Sequence, residues 1–249
     1  MPKTIKKKPA KKKPAEAEEV KHVALQALDL MKKRQRQVII IVSVIAVAAL
    51  LLTAFRFYSS SQTGKAYAVE READDVYYAA GKDKALPATE RWKKALDLYK
   101  KSIDIKATPT ALFNLGNCYY NLGDYDNAIK QYNVFVNKFG SNREILPLVY
   151  QKLASAYFKS GKNDKALEAT GNLAKVGGGA FKDTALLLEA RYYDSAGNTA
   201  QALEKYRALV SEFPASTWSA EAGEKIARMT KQNNAGSTEQ KPAGGPASK

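Results

Sequence analysis

An uninterrupted apolar run of 18 residues, from Val38 to Phe55, separates a lysine-rich head from a body with a repeated pattern. A helix needs roughly 17–25 such residues to cross a bilayer. We therefore predict a transmembrane anchor over residues 38–58. Residues 1–37 hold ten Lys and two Arg against three Glu and one Asp, a net charge of +8. Because basic segments stay cytoplasmic, the head is expected inside and the body outside.

A cleaved signal peptide is the alternative to this anchor. Its apolar core would span about 7–15 residues and would be followed closely by a small-residue cleavage site. The run here is longer, and the nearest such site, residues 66–68, lies well downstream. The sequence therefore favours an uncleaved anchor. The single cysteine, Cys118, excludes an intramolecular disulfide, so the body must be held together by its own hydrophobic core.

The head contains the sequence Lys-Lys-Lys-Pro-Ala twice, at residues 6–10 and 11–15. Proline and like-charge repulsion keep such a tract unfolded, so residues 1–37 are predicted to be mostly disordered. Apolar residues between positions 20 and 30 recur at helical spacing and predict one helix there, which extends the anchor or lies along the membrane interface. Anionic lipid headgroups are the predicted partner of the head, and nucleic acid is an unlikely one.

The body has an internal period of 36 to 38 residues. Three glycines and three alanines repeat at the same two intervals: Gly123, Gly161, Gly197, Ala128, Ala166 and Ala202. An earlier copy is present at Ala95 and Tyr99. Small residues allow two helices to approach closely, and glycine tolerates the positive φ with which a helix commonly ends. One such pair cannot bury its apolar face alone, so stacked pairs share a continuous core.

This pattern resembles the tetratricopeptide repeat, a helix–turn–helix unit of about 34 residues. The resemblance covers residues 65–230 and implies an all-α fold. A single N-terminal transmembrane helix would be followed by a superhelix of about four helix pairs and a capping helix that ends near Met229. The repeats here are longer than the usual unit, and the usual tryptophan is absent from the first helix. Residues 231–249 are predicted to form a disordered tail.

The sequence offers no catalytic constellation. The only histidine, His22, precedes the predicted anchor, so the body lacks an imidazole base and a His-based metal site. Three glycines at 177–179 are not followed by the Gly-Lys-Ser/Thr of a phosphate-binding loop. Cys118 is interpreted as a core residue. We therefore predict no catalytic residue, no cofactor and no metal, and a protein that is not an enzyme.

In the tetratricopeptide-repeat family, the first helix of each pair lines a concave groove. Transferred by register, this implies protein-binding positions at Asn117, Tyr120, Asn121, Lys152, Lys159 and Arg191, with Gln151, Ser155 and Asp194 beside them. Their amides, aromatic rings and cations suit an extended peptide, whose backbone needs hydrogen bonds and whose side chains need apolar contacts. The carboxylate clamp of some family members needs more matching residues than Asn117 and Lys152, so that activity is not predicted.

The order of basic head, anchor and outer repeats resembles the family of ancillary SecYEG translocon subunits. This implies a periplasmic scaffold or chaperone-like adapter that is anchored in a bacterial inner membrane and contacts translocon subunits, envelope clients or extended peptides. Two alternatives remain open. One is an envelope assembly or division coordinator of the Tol–Pal type, and the other is a membrane tether whose basic head binds nucleic acid or ribosomes. The sequence carries no signal for an oligomeric state.

Overall fold

The computed structural model describes residues 14–238, which form ten α-helices and two short 3-10 helices with no strand among them. The Lys-Pro-Ala tract up to residue 13 and the tail from residue 239 lie outside the described residues, together with the disorder predicted for them. The chain divides into two compact units between Ser61 and Gln62.

The N-terminal unit contains helix α1 (Pro14–Lys33) and the first part of helix α2 (Gln35–Tyr77). The helix predicted over residues 20–30 is therefore present, and it is longer than expected. The prediction that residues 1–37 are mostly disordered is wrong for residues 14–33. Lys32 and Lys33 lie in the last turn of α1, where positive charge complements the helix dipole.

Helix α2 contains the apolar run and, by length and composition, could cross a membrane. Its most apolar window of 18 residues has a mean hydropathy of 3.0 and no buried residue. The helix continues without interruption to Tyr77, so the first repeat helix, predicted to begin at residue 65, is the C-terminal part of α2 rather than a separate element. No proline interrupts residues 35–77, and the single Gly64 is tolerated within a helix.

The C-terminal unit contains the predicted superhelix. Its remaining helices are α3 (Ala88–Ile105), α4 (Pro109–Asn121), α5 (Tyr125–Phe139), α6 (Leu146–Lys159), α7 (Asn163–Lys175), α8 (Lys182–Ser195), α9 (Thr199–Glu212) and α10 (Ser219–Thr238). The end of α2 pairs with α3, and α4/α5, α6/α7 and α8/α9 form three further pairs, with α10 packed on α9. Four pairs and a cap confirm the predicted fold class. The tail predicted to be disordered from residue 231 is helical up to Thr238.

Local sequence sets where these helices begin and end. Gly123 has a φ of 80° and Gly161 one of 70°, so the turns within the pairs use the left-handed conformation expected of glycine. The side chain of Thr108 caps α4 by accepting a hydrogen bond from the Ala111 backbone, and Asp124 caps α5 in the same way. The pairs therefore reverse direction over short connections.

The core between the helices is built from small residues facing large ones. The repeated alanines at 95, 128, 166 and 202 are completely buried, as is Tyr132. A Cβ atom added to Gly116 on α4 would lie no more than 3.0 Å from three ring atoms of Tyr132 on α5. The close approach that small residues were predicted to allow within a helix pair is therefore observed between α4 and α5 at Gly116.

Candidate functional site

Three first helices, α4, α6 and α8, share an open cleft of about 430 Å³. It is lined by Tyr120, Ser155, Phe158, Lys159, Leu188, Arg191, Tyr192 and Ser195. Three of the six predicted binding residues, Tyr120, Lys159 and Arg191, are therefore brought together at one site. The lining combines aromatic rings, hydroxyl groups and cations, which can hold apolar and anionic groups side by side.

Two aromatic residues of this cleft were not among the predicted positions. Phe158 on α6 and Tyr192 on α8 stack with their ring centroids 4.0 Å apart and an interplanar angle of 14°. The sequence signal for these two residues is that each stands next to another aromatic residue, in the pairs Tyr157–Phe158 and Tyr192–Tyr193. Tyr157 and Tyr193 occupy the core position four residues before the turn glycine. Phe158 and Tyr192 are therefore not needed in the core and can line the cleft.

Lys152 lies beside the cleft and is half-buried. Its ammonium group is 5.0 Å from the centre of the Tyr120 ring, a distance typical of cation–π attraction. Burial lowers the pKa of Lys152, because the charged form loses solvation. Lys159, two turns further along α6, is exposed. Neither lysine forms an ion pair with a carboxylate among residues 14–238.

Arg191 is engaged by the capping helix. Its guanidinium group donates to both carboxylate oxygens of Glu221 on α10, at 2.7 and 2.8 Å, and lies 5.7 Å from the centre of the Trp218 ring. One turn later, Lys225 donates to Asp194 at 2.6 Å. Although Arg191 borders the cleft, it also joins α8 to α10, and Asp194 joins the same two helices.

Asn117 and Asn121, both predicted to bind a partner in the groove, form hydrogen bonds to other helices and do not line the cleft between α4, α6 and α8. Asn117 is only 7% exposed and accepts a hydrogen bond of 2.8 Å from the Tyr132 hydroxyl. Asn121 donates to the Tyr77 hydroxyl at 2.9 Å. Burial raises the pKa of Tyr77 to about 12, so the phenol stays protonated at neutral pH. Both amides connect α4 to neighbouring helices, because buried hydroxyls on those helices need partners.

The described residues offer little to nucleophilic or metal chemistry. Cys118 is completely buried, and burial raises its pKa to about 12, so the sulfur is held as the unreactive thiol. Within residues 14–238, no group of three His, Cys, Asp or Glu side chains could hold a metal ion.

Two protein-family models, both described as tetratricopeptide repeat, match residues 109–133 and 152–217. Over 90 residues the chain is 40% identical to response regulator aspartate phosphatase E of Bacillus subtilis (strain 168). That match covers 34% of this chain and 23% of the relative, so the chain spans about a quarter of the relative's length.

Among solved structures, the chain is similar to MamA from Desulfovibrio magneticus RS-1, with 15% identity and a TM-score of 0.48, covering 70% of this chain and 86% of that one. It is also similar to YrrB, described as a TPR protein with an unusual peptide-binding site, with 18% identity and a TM-score of 0.44 over 70% and 87% of the two chains. On the family matches and the observed helix pairs, the segments within α4–α9 are tetratricopeptide repeats, and the chain carries a protein-binding scaffold of that type.

Proposed function

We propose that this chain is a membrane-anchored adapter that binds an extended segment of a partner protein in the cleft between α4, α6 and α8. The observation that carries the proposal is the Phe158–Tyr192 stack in an open cleft between neighbouring first helices. A stacked pair exposed to a cleft offers a flat apolar surface, and aromatic residues dominate the energetics of protein interfaces.

Polar groups around the stack suit a peptide backbone. The hydroxyls of Ser155 and Ser195 line the cleft, and each donates to a carbonyl of its own helix at 2.8 Å. Each oxygen can still accept a hydrogen bond from a peptide N–H. A cleft of this size holds one or two large side chains, which is how peptide-binding grooves obtain specificity.

The membrane part of the proposal rests on the N-terminal unit. The apolar window of α2 would cross the bacterial inner membrane, with the N-terminus cytoplasmic and the repeats periplasmic. On α1, Val23 and Leu28 are exposed, and the preceding residues are strongly basic, so this segment suits contact with anionic lipids. The resemblance to ancillary SecYEG subunits supports a chaperone-like role beside the translocon.

The test is site-specific crosslinking of the full-length protein in native membranes. A photoreactive amino acid is placed at Ser195, which is exposed at the cleft, and in a matched variant at Lys130, which is exposed on α5 away from the cleft lining. We expect translocon subunits and exported proteins to crosslink at position 195 and not at position 130. Equal crosslinking at both positions would exclude the cleft as the binding surface.

The same experiment separates the alternatives. Tol–Pal components captured at position 195 would favour an envelope assembly or division coordinator. A third sample lacking residues 1–15 tests the tether hypothesis. Ribosomal proteins or nucleic acid that are captured by the full-length protein and lost from this truncated form would make the basic head the primary binding element and the repeats secondary.

A further inference from the structure

We propose that the segment bound in the cleft is acidic, with carboxylates seated on Lys152 and Lys159 and an apolar side chain packed on Phe158 and Tyr192. This inference rests on the proposed function and specifies the chemistry of the partner.

The charge of the cleft is one-sided. Only two charged residues line it, Lys159 and Arg191, and both are cations. Lys152 adds a third cation beside Tyr120. No carboxylate is part of the lining, and the nearby Glu221 is paired with Arg191, so Lys159 and Lys152 are the cations here that have no ion pair among the described residues. Complementary charge of this kind favours an acidic partner and rejects a basic one.

Arg191 shows how this surface receives a carboxylate. Glu221 of α10 binds the guanidinium through both oxygens, and Trp218 lies against the same group. In this arrangement a cation binds a carboxylate next to an aromatic ring. Lys159 and the Phe158–Tyr192 stack also place a cation near aromatic rings, but no carboxylate of the described residues is paired with Lys159. The acid at that position would therefore come from the ligand.

The two lysines also set a spacing. Lys152 and Lys159 are seven residues apart on one face of α6, which corresponds to about 10 Å along the helix axis. A peptide in the polyproline II conformation advances about 3.1 Å per residue and returns to the same face every three residues. Two acidic residues three positions apart would therefore reach both lysines. The two residues between them point to different sides of the peptide, and one of them would pack on the aromatic stack.

The segments outside the described residues do not match this spacing. Residues 1–13 carry lysine as their only charged side chain, and residues 239–249 hold one glutamate and two lysines. The occupant that the charge of the cleft favours is an acidic extended segment of another protein.

The probe is a fluorescein-labelled octapeptide with two glutamates three positions apart and a phenylalanine between them. Its affinity for the detergent-solubilised full-length protein is measured by fluorescence anisotropy, beside a matched peptide in which both glutamates are glutamine. We expect the glutamate peptide to bind at least about tenfold more tightly, equivalent to about 1.4 kcal/mol, and its advantage to shrink as salt is raised.

Two matched variants locate the contact. Lys152→Gln/Lys159→Gln should remove the advantage of the glutamate peptide. Lys130→Gln/Lys138→Gln removes two exposed lysines of α5 and should preserve it. Circular dichroism and thermal melting of both variants should match the parent, because neither pair of lysines forms an ion pair among the described residues.

The outcomes separate the two proposals. Equal binding of the glutamate and glutamine peptides, abolished by Phe158→Ala, would overturn the acidic preference and leave the peptide cleft standing. Failure of both peptides to bind, with partners still crosslinked at position 195, would also overturn the acidic preference alone. Failure of both peptides together with no selective crosslinking at position 195 would overturn both proposals.

Discussion

Helices α4 and α6 each have a polar residue at the same position of the repeat, but one of these residues is buried and the other lines the open cleft. Asn117 lies six residues before its turn glycine, and Ser155 lies six residues before the next one. Asn117 is buried and accepts the hydroxyl of Tyr132 from the partner helix α5. Ser155 bonds a carbonyl of its own helix and lines the open cleft.

The difference originates on the second helix of each pair. Tyr132 lies four residues after the close-packed Ala128, and in the third pair the corresponding residue is Thr170. The shorter Thr170 makes no such bond across its own pair, and the acceptors of its hydroxyl are Glu189 on α8 at 2.8 Å and the Leu167 carbonyl of its own helix at 2.9 Å. Ser155 is thereby left without an inward partner. The same repeat position is thus buried in one pair and lines the cleft in the next, according to the residue on the facing helix.

The fourth pair gives a third outcome. Tyr206 on α9 corresponds to Tyr132, but its completely buried hydroxyl has no hydrogen-bond partner among residues 14–238. The position that Asn117 fills in the second pair is Arg191 here, and Arg191 is engaged by Glu221. In the second pair, the tyrosine hydroxyl is therefore bound by Asn117 of the same pair. In the fourth pair, the residue at the position of Asn117 is Arg191, which binds Glu221 of the capping helix and leaves the tyrosine hydroxyl without a described partner.

The largest expected effect comes from breaking the second pair at its closest approach. Gly116→Leu would drive a side chain into the ring of Tyr132, which is completely buried and held by Asn117. We expect a loss of at least about 3 kcal/mol in the free energy of unfolding, or failure to fold. Urea unfolding of the detergent-solubilised protein, followed by fluorescence, measures this.

Gly171→Ala on α7 is the matched control, because a Cβ added there has no other atom within 4 Å. It should stabilise the protein by about 0.5–1 kcal/mol, since alanine is the better helix former. Equal effects of the two substitutions would contradict the close packing described for the second pair.

A smaller effect distinguishes the second pair from the fourth. Tyr132→Phe removes the hydroxyl on which Asn117 depends and leaves a buried amide oxygen without its donor, so we expect a loss of about 1–3 kcal/mol. Tyr206→Phe removes a hydroxyl that has no described partner, and should be neutral or slightly stabilising. Thermal melting of both variants provides the measurement. A loss from Tyr206→Phe as large as that from Tyr132→Phe would show that the two pairs do not differ in this way.

The smallest effect is a change in pH dependence within the first pair. Burial raises the pKa of Glu70 above its ordinary value of 4.5, although the Thr108 hydroxyl donates to its carboxylate at 2.6 Å and favours the ionised form. Because the folded state favours protonation, this contribution to stability is complete below about pH 4.5 and is lost as the pH rises through the folded-state pKa.

Glu70→Gln cannot titrate but can still accept the Thr108 hydroxyl through its amide oxygen. We therefore expect its stability to decline less than that of the parent as the pH rises from about 4.5 to 7. Urea unfolding at several pH values within that window is the measurement. Parallel stability curves for the two proteins would contradict a raised pKa.

The sequence by itself determined the helices and their order. The spacing of Gly123, Gly161 and Gly197, the alanines that follow them and the apolar run from Val38 to Phe55 each act through local geometry or composition. Positive φ at a turn, close packing within a pair and the hydropathy of a long helix need no knowledge of distant residues. Even so, the length of helix α1 was underestimated, because the apolar residues with helical spacing cover only residues 20–30, whereas the helix spans Pro14–Lys33.

Only the tertiary structure decided which polar residues line the cleft and which form hydrogen bonds between helices. Asn117 and Asn121 had suitable types and register for a groove, but they are taken by the hydroxyls of Tyr132 and Tyr77. The adjacent aromatic pair Tyr157–Phe158 was the only sequence signal for Phe158, and the structure shows that its ring lines the cleft, stacked on Tyr192 of the next pair. The physical reason is that availability depends on the side chain of a facing helix, 15 to 44 residues away in these cases, and the repeat period does not specify that side chain.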